Sequence, residues 1–167
     1  GGDRGQVPAG ILDYEVRDLD LSDVPAPRTR IMVNMANPAT AFRWWRLPTK
    51  GIGLARMEFI IAHSIRIHPM ALAHPERVTD PDARRQIDEL TRGYDDKTAY
   101  FVDRLALGVA RLAAPHYPEP VIVRLSDFKT NEYANLIGGA EFEPGTEPNP
   151  MLGFRGASRY YSDRYRD

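Results

Sequence analysis

The sequence predicts an α/β fold, a partial TIM (β/α)8 barrel comprising its first three to four βα units. Three observations carry this expectation. Short apolar runs suited to buried strands alternate with longer segments of helical periodicity, a pattern of parallel strands joined by right-handed crossovers. Charged residues fall where the strands end, the face on which barrels of this type build their active sites. The 167 residues hold three or four such strands, whereas a complete eightfold barrel needs ~250 residues. The chain therefore reads as the first half of a barrel, cut off after Asp167.

The elements follow in order. Residues 1–16 (GGDRGQVPAGILDYEV) form an entering segment, rich in glycine and closing on a short strand-like run. Residues 17–30 (RDLDLSDVPAPRTR) have the charged, proline-bearing composition of a linker. The main domain, residues 31–167, opens with a buried strand over 31–37. Asn37 as N-cap and Pro38 in the first turn then start a helix running to about Leu47. A turn over 48–51 leads into a second strand, 52–61. Asp80 or Asp82 caps a helix over 83–92 that Gly93 stops. Asp96 caps another over 98–114, in which Phe101, Leu105, Val109 and Leu112 make one apolar stripe. Pro118 and Pro120 set up a third strand, 121–125, and a polar loop covers 126–150.

Several functions are excluded or disfavoured. The formal net charge is -1, so nothing global draws the chain to nucleic acid or to a membrane surface. Cysteine is absent, which removes disulfides, thiolate metal sites and cysteine nucleophiles from these residues. Neither a signal peptide nor an apolar run near the ~20 residues of a membrane span is present, and a cytoplasmic location is the expectation. There is no GxxxxGK[ST] phosphate loop and hence no ATP site here. His63, His68 and His74 lack the i, i+4 spacing of a helical zinc pair. They are expected at the surface or partly buried, with no metal held by this chain.

Two stretches stand out. GIGLARMEFII places Arg56 two residues before Glu58, and PVIVRLSDF places Arg124 three residues before Asp127. A charge within an apolar run costs several kcal/mol unless it is paired. Either each arginine forms a structural ion pair with its neighbouring acid, or the two form an anion site for a small phosphorylated acid, since the guanidinium fork matches phosphate and carboxylate. The repetition favours the anion site. Arg155 and Arg159, in GFRGASRYY, carry the same choice: ligand contacts beside small residues, or a solvated face with stacking on Tyr160 and Tyr161.

The longer motifs NPATAFRWWRLPTKGIGLARMEFII, EPVIVRLSDFKTNEYANLIGG and NPMLGFRGASRYYSD resemble the phosphoenolpyruvate synthase (pyruvate, water dikinase) family of PEP-utilising enzymes. The similarity runs through nearly the whole chain, and residues 1–16 resemble the exit from that family's swivelling phosphohistidine domain. The loop FKTNEYANLIGG favours the synthase over pyruvate phosphate dikinase and enzyme I of the sugar phosphotransferase system. The resemblance implies conversion of pyruvate, ATP and water to phosphoenolpyruvate, AMP and phosphate through a phosphohistidine. It implies that Arg56 and Arg124 bind pyruvate or phosphoenolpyruvate, with Arg155 a third, weaker contact, and that Glu58 and Asp127 hold the guanidiniums in place. The Mg2+ ligands, the catalytic cysteine, the phosphohistidine and the ATP-binding domain all lie outside these residues. The segment alone is thus expected to be inactive, and the longer protein to be a homodimer. The alternative is a non-catalytic half barrel that binds phosphorylated acids, or a relative of the phosphate dikinase.

Overall fold

The computed structural model describes residues 9–143, 145, 147, 149 and 153–166. Three short strands, β1 (Val33–Met35), β2 (Ile52–Arg56) and β3 (Val121–Arg124), form a parallel sheet in the order β1-β2-β3. The apolar runs suit parallel strands, whose two faces are usually both covered; here β2 is the best covered, and β3 leaves Ile122 exposed. Val33 faces Ile52, Ala55 faces Val123, and Arg56 faces Arg124 across the ladders. Gly51 makes the approach possible. Its φ is +104°, and a Cβ there would collide with the Pro120 carbonyl oxygen that accepts the Ile52 N–H at 3.0 Å.

The second strand is shorter than the 52–61 expected. It stops at Arg56, and Met57–Ile60 is helical (α1), continuing as a π-helical turn over Ile61–Ile65. A short apolar run fits a buried strand or a buried helix equally well. The decisive signal is the spacing of Met57, Ile60, Ile61 and Ile65, all buried, which puts them on one helical face. The first strand is likewise trimmed to three residues. The helix expected to reach Leu47 is a 3-10 segment, Pro38–Arg43, with Asn37 accepting the Ala39 N–H at 2.9 Å as foreseen. The strand-like run before Val16 is not a strand: every described residue from 9 to 30 is exposed and outside regular structure except for turns. Residues 1–8 of the entering segment lie outside the described residues.

The helices after β2 agree more closely. Following α2 (Pro69–Ala73), Asp80 caps α3 (Pro81–Leu90) by accepting the Asp82 N–H at 2.9 Å. Asp96 caps α4 (Lys97–Ala113) by accepting the Thr98 N–H at 2.8 Å. Leu112 of the predicted stripe is fully buried, and Leu105 and Val109 pack beside it against Met35, Ile52, Ala55 and Ile60. Each fully buried aliphatic side chain contributes about 1.5–3 kcal/mol. A second cluster joins Ile61, Ile65, Ile67, Leu72, Val78, Ile87 and Tyr100. No helix of the described residues is long and apolar enough to cross a membrane.

Gly108 marks the closest contact between α4 and α1. A Cβ there would lie 2.5 Å from Cγ2 of Ile60, itself fully buried. Helix propensity alone favours alanine over glycine by about 1 kcal/mol. Because Ile60 has no room to move, Gly108→Ala should instead destabilise by about 1–3 kcal/mol. Urea unfolding of the two proteins reads the sign directly, and a stabilised variant would refute the packing argument.

The loop expected over 126–150 is more structured than its polarity indicates. It contains α5 (Thr130–Ala134) and is tied to the segment after α1 by a parallel bridge between Ile67 and Ile137. Phe142 and Glu143 are buried within it. A last short helix, α6, spans Ala157–Tyr160.

Candidate functional site

The register of β2 with β3 makes Arg56 and Arg124 direct neighbours on adjacent parallel strands, each the last residue of its strand. Both side chains emerge at the carboxyl ends of the sheet. With Arg155, Glu58 and Asp127 they line one cleft of about 320 Å³. The five site residues predicted from the sequence are thus brought together.

Their pairing differs from the expectation. Glu58 does not pair with Arg56. It sits in the first turn of α1, 7% exposed, and accepts from Arg124 Nη2 at 2.5 Å and from the Asp127 N–H at 3.1 Å. Asp127 in turn pairs with Arg155, accepting Nε at 2.9 Å and Nη2 at 2.8 Å in a bidentate fork. The reason is local: once the chain turns helical at Met57, Glu58 no longer shares a strand face with Arg56 and points back beneath β3. Arg56 is exposed and lies over the Phe59 ring at 4.6 Å. Among the described residues it has no ion-pair partner. Two guanidiniums are therefore fixed by acids and a third faces the cleft without one.

The turn that carries Arg155 is closely fitted. Gly156 has φ +58°, and a Cβ on it would approach Asp127 Oδ1 to 3.1 Å, so a larger residue would be strained in backbone and in contact. The hydrogen bonds from Arg155 hold the Asp127 carboxyl below the usual carboxylate range, and its partner is raised in return. Ser126, next to Asp127, is anchored from both sides: its N–H donates to the Tyr160 hydroxyl, and its Oγ accepts from the Tyr133 hydroxyl, both at 2.9 Å.

Arg159 stands apart from the cleft. Neither a solvated face nor stacking on Tyr160 and Tyr161 describes it. It is 2% exposed and lies among the rings of Tyr133, Phe154 and Tyr165 at 4.3, 4.7 and 5.0 Å. His68 is also fully buried, against the expectation of a surface or partly buried group. Its Nε2 is 3.1 Å from Glu143 Oε1, and its Nδ1 accepts the Met70 N–H at 3.2 Å. The Nδ1 acceptor role places the ring proton on Nε2, donated toward Glu143.

Sequence reasoning missed Lys129, Glu132, Phe59 and His63, which also line the cleft. Lys129 and Glu132 follow the third strand directly, and loops after parallel strands commonly carry function. That position was the available signal. His63 is detectable only once α1 is seen to be helical, which sets it one turn beyond Phe59, with the two rings stacked at 6.0 Å.

Residues 14–165 match the protein family described as PEP-utilising enzyme, PEP-binding domain. The chain is 53% identical to phosphoenolpyruvate synthase of Synechocystis sp. over 167 residues, 99% of this chain and 20% of that protein. It is 44% identical to phosphoenolpyruvate synthase of Aquifex aeolicus, covering 99% of this chain and 24% of that protein. For phosphoenolpyruvate synthase of Escherichia coli the identity is 48%, with shares of 99% and 21%. The chain therefore spans about a fifth to a quarter of the length of the curated relatives it matches.

Proposed function

The chain belongs to the PEP-utilising enzyme, PEP-binding domain family, and from that premise we propose that it is part of a phosphoenolpyruvate synthase whose cleft binds pyruvate and phosphoenolpyruvate. The observation that carries this is the side-by-side placement of Arg56 and Arg124 at the carboxyl ends of β2 and β3, with Arg56 unpaired among the described residues. Phosphoenolpyruvate presents a phosphoryl group and a carboxylate a few bonds apart. Neighbouring guanidiniums suit two such anions.

In this reading the enolate oxygen of pyruvate takes the phosphoryl group from the phosphohistidine of the longer protein, whose P–N bond breaks to leave a free imidazole, while Arg56 and Arg124 stabilise the charge that spreads over the phosphoryl oxygens. Arg124 is held by Glu58 before the reaction begins and needs no reorganisation during it, while Arg56, steadied by the Phe59 ring, keeps its donors free for the ligand. Glu58 fixes Arg124, and Asp127 fixes Arg155, so each charge is aimed by a buried or half-buried acid. Arg155 makes the third contact. The described residues do not fit a metal. Asp127 is engaged at both oxygens by Arg155 and Glu58 at one by Arg124; the other Glu58 oxygen is buried without a partner, yet no three metal-binding side chains come together among the described residues. Mg2+ is assigned to residues outside this chain, as are the phosphohistidine and the ATP-binding domain.

The parallel sheet and the family support a partial TIM barrel, the first units of a PEP/pyruvate-binding barrel over residues 31–167. Residues 17–30 are assigned as a linker and residues 1–16 as the tail of a preceding phosphohistidine domain. The exposure of the described residues from 9 to 30 suits a segment outside the barrel core.

The test is a phosphorus NMR product assay on the complete gene product with ATP, Mg2+ and pyruvate. Phosphoenolpyruvate, AMP and orthophosphate are the expected products. Phosphate-dependent release of pyrophosphate would move the assignment to the phosphate dikinase relative, and no turnover would overturn the enzymatic reading in favour of a binding module.

A further inference from the structure

Arg159 lies behind the cleft, yet its bonds lead to the peptide that carries Arg155. All five of its N–H groups have acceptors. Nη1 and Nη2 grip the two Glu143 oxygens at 2.6 and 2.9 Å. Nη1 also reaches the Tyr165 hydroxyl, and Nη2 reaches Thr130 Oγ1 at 3.3 Å. The remaining donor, Nε, bonds the Phe154 carbonyl at 2.7 Å. That carbonyl belongs to the peptide bond joining Phe154 to Arg155. The opposite side of Phe154 is held as well, its N–H donating to Glu147 Oε2 at 3.1 Å. The same oxygen accepts from the Thr130 hydroxyl at 3.0 Å. Arg159 thus fixes Phe154 directly at its carbonyl and, through Thr130 and Glu147, at its amide.

A buried arginine–glutamate pair is not needed to fill a core, since well-packed apolar side chains are often equally stable there. What it adds is direction. Its bonds fix one geometry in a turn that Gly156, at φ +58°, would otherwise leave free. Burial lowers the pKa of His68, and the hydrogen bonds that Glu143 accepts from His68, Arg159 and Tyr165 outweigh burial to hold its own near 2. The arrangement is therefore a charged carboxylate and guanidinium beside a neutral imidazole.

We propose that Arg159, locked on Glu143, is a positioning residue: it holds the Phe154 peptide so that Arg155 meets Asp127 and presents its guanidinium to the phosphate or carboxylate of the ligand. The proposal rests on the phosphoenolpyruvate reading of the cleft. Arg159 itself touches no ligand.

Two double-mutant cycles test it, with phosphoenolpyruvate and Mg2+ titrated calorimetrically into the complete gene product. Arg159→Lys keeps the charge and loses the fork, and it should weaken binding about tenfold through the displaced Arg155. Added to Arg155→Ala it should cost nothing further; added to Arg56→Ala it should cost its full tenfold. Thr130→Val, which cuts only the relay to Glu147, should give the same pattern with a smaller loss, and it decides the matter if Arg159→Lys does not fold. Equal losses in both backgrounds, or unchanged affinity, would overturn the proposal. A parent protein that binds no phosphoenolpyruvate would instead sink the functional reading. A crystal structure of the variant then still judges the positioning: Arg155 released from Asp127 supports it, and an intact pair refutes it.

Discussion

If the cleft binds pyruvate as proposed, replacing Arg56 with alanine in the complete gene product should lower kcat/KM for pyruvate by about 10²–10³-fold, the effect of removing one donor from a developing negative charge. Folding stability should fall by no more than about 1 kcal/mol, the worth of an exposed cation–π contact. Both halves of the expectation follow from one asymmetry. Arg56 faces the cleft, stacks only on Phe59, and has no acid beside it among the described residues. Arg124, its neighbour across the ladder, also holds the buried Glu58. Arg124→Ala should therefore lose activity to a similar degree and stability by a further 1–3 kcal/mol or so, the cost of leaving a buried acceptor short of a partner. Arg56→Lys should recover only part of the activity, since an ammonium keeps the charge without the fork. Steady-state kinetics and urea unfolding of the three variants separate the roles. If Arg56→Ala turned over normally, or fell in stability as far as Arg124→Ala, then Arg56 would be structural and the site would have to be rebuilt around another residue.

The parts of this arrangement that the sequence discloses are those that depend on neighbours in the chain. Apolar spacing placed α4 and its buried stripe, Asp80 and Asp96 announced their helices, and two arginines ending apolar runs announced the cleft. The pairings were hidden because they are long-range. Glu58 and Arg124 are 66 residues apart, and Asp127 and Arg155 are 28 apart. A local reading assigns each arginine the nearest acid, and that rule fails at Arg56 because the strand turns helical before Glu58, and at Arg124 because Asp127 is taken by the distant Arg155. His68 and Arg159 were misjudged for a related reason. Both look polar in sequence, and their acceptor, Glu143, lies in a stretch whose composition reads as loop. Only the fold, through the bridge between Ile67 and Ile137, draws that loop under α2 and seals the three polar groups from water.

That sealed cluster should make the chain lose stability on acidification in two stages. His68 faces Glu143, Tyr165, Tyr133 and Arg159, and burial depresses its pKa below the ordinary 6.5. As pH falls through about 6.5, the unfolded chain takes up a proton that the folded chain refuses, and stability declines from there down to the depressed value. Glu143 acts lower. Its folded pKa is about 2 against 4.5 when free, so its contribution, on the order of 3 kcal/mol, is complete above about pH 4.5 and is lost as pH falls toward about 2. Both stages have the same sign, so no acidic stability optimum is expected between them. His68→Gln should flatten the upper stage alone. Glu143→Gln should cost about 3–5 kcal/mol at pH 7 by stranding the Arg159 charge, and its deficit should shrink as acid neutralises Glu143 in the parent. Urea unfolding between pH 8 and pH 3, followed by far-ultraviolet circular dichroism, measures all three curves. A parent chain that gained stability between pH 7 and pH 5 would mean that His68 is charged in the folded state, and that the Arg159–Glu143 pair shares its pocket with a second cation.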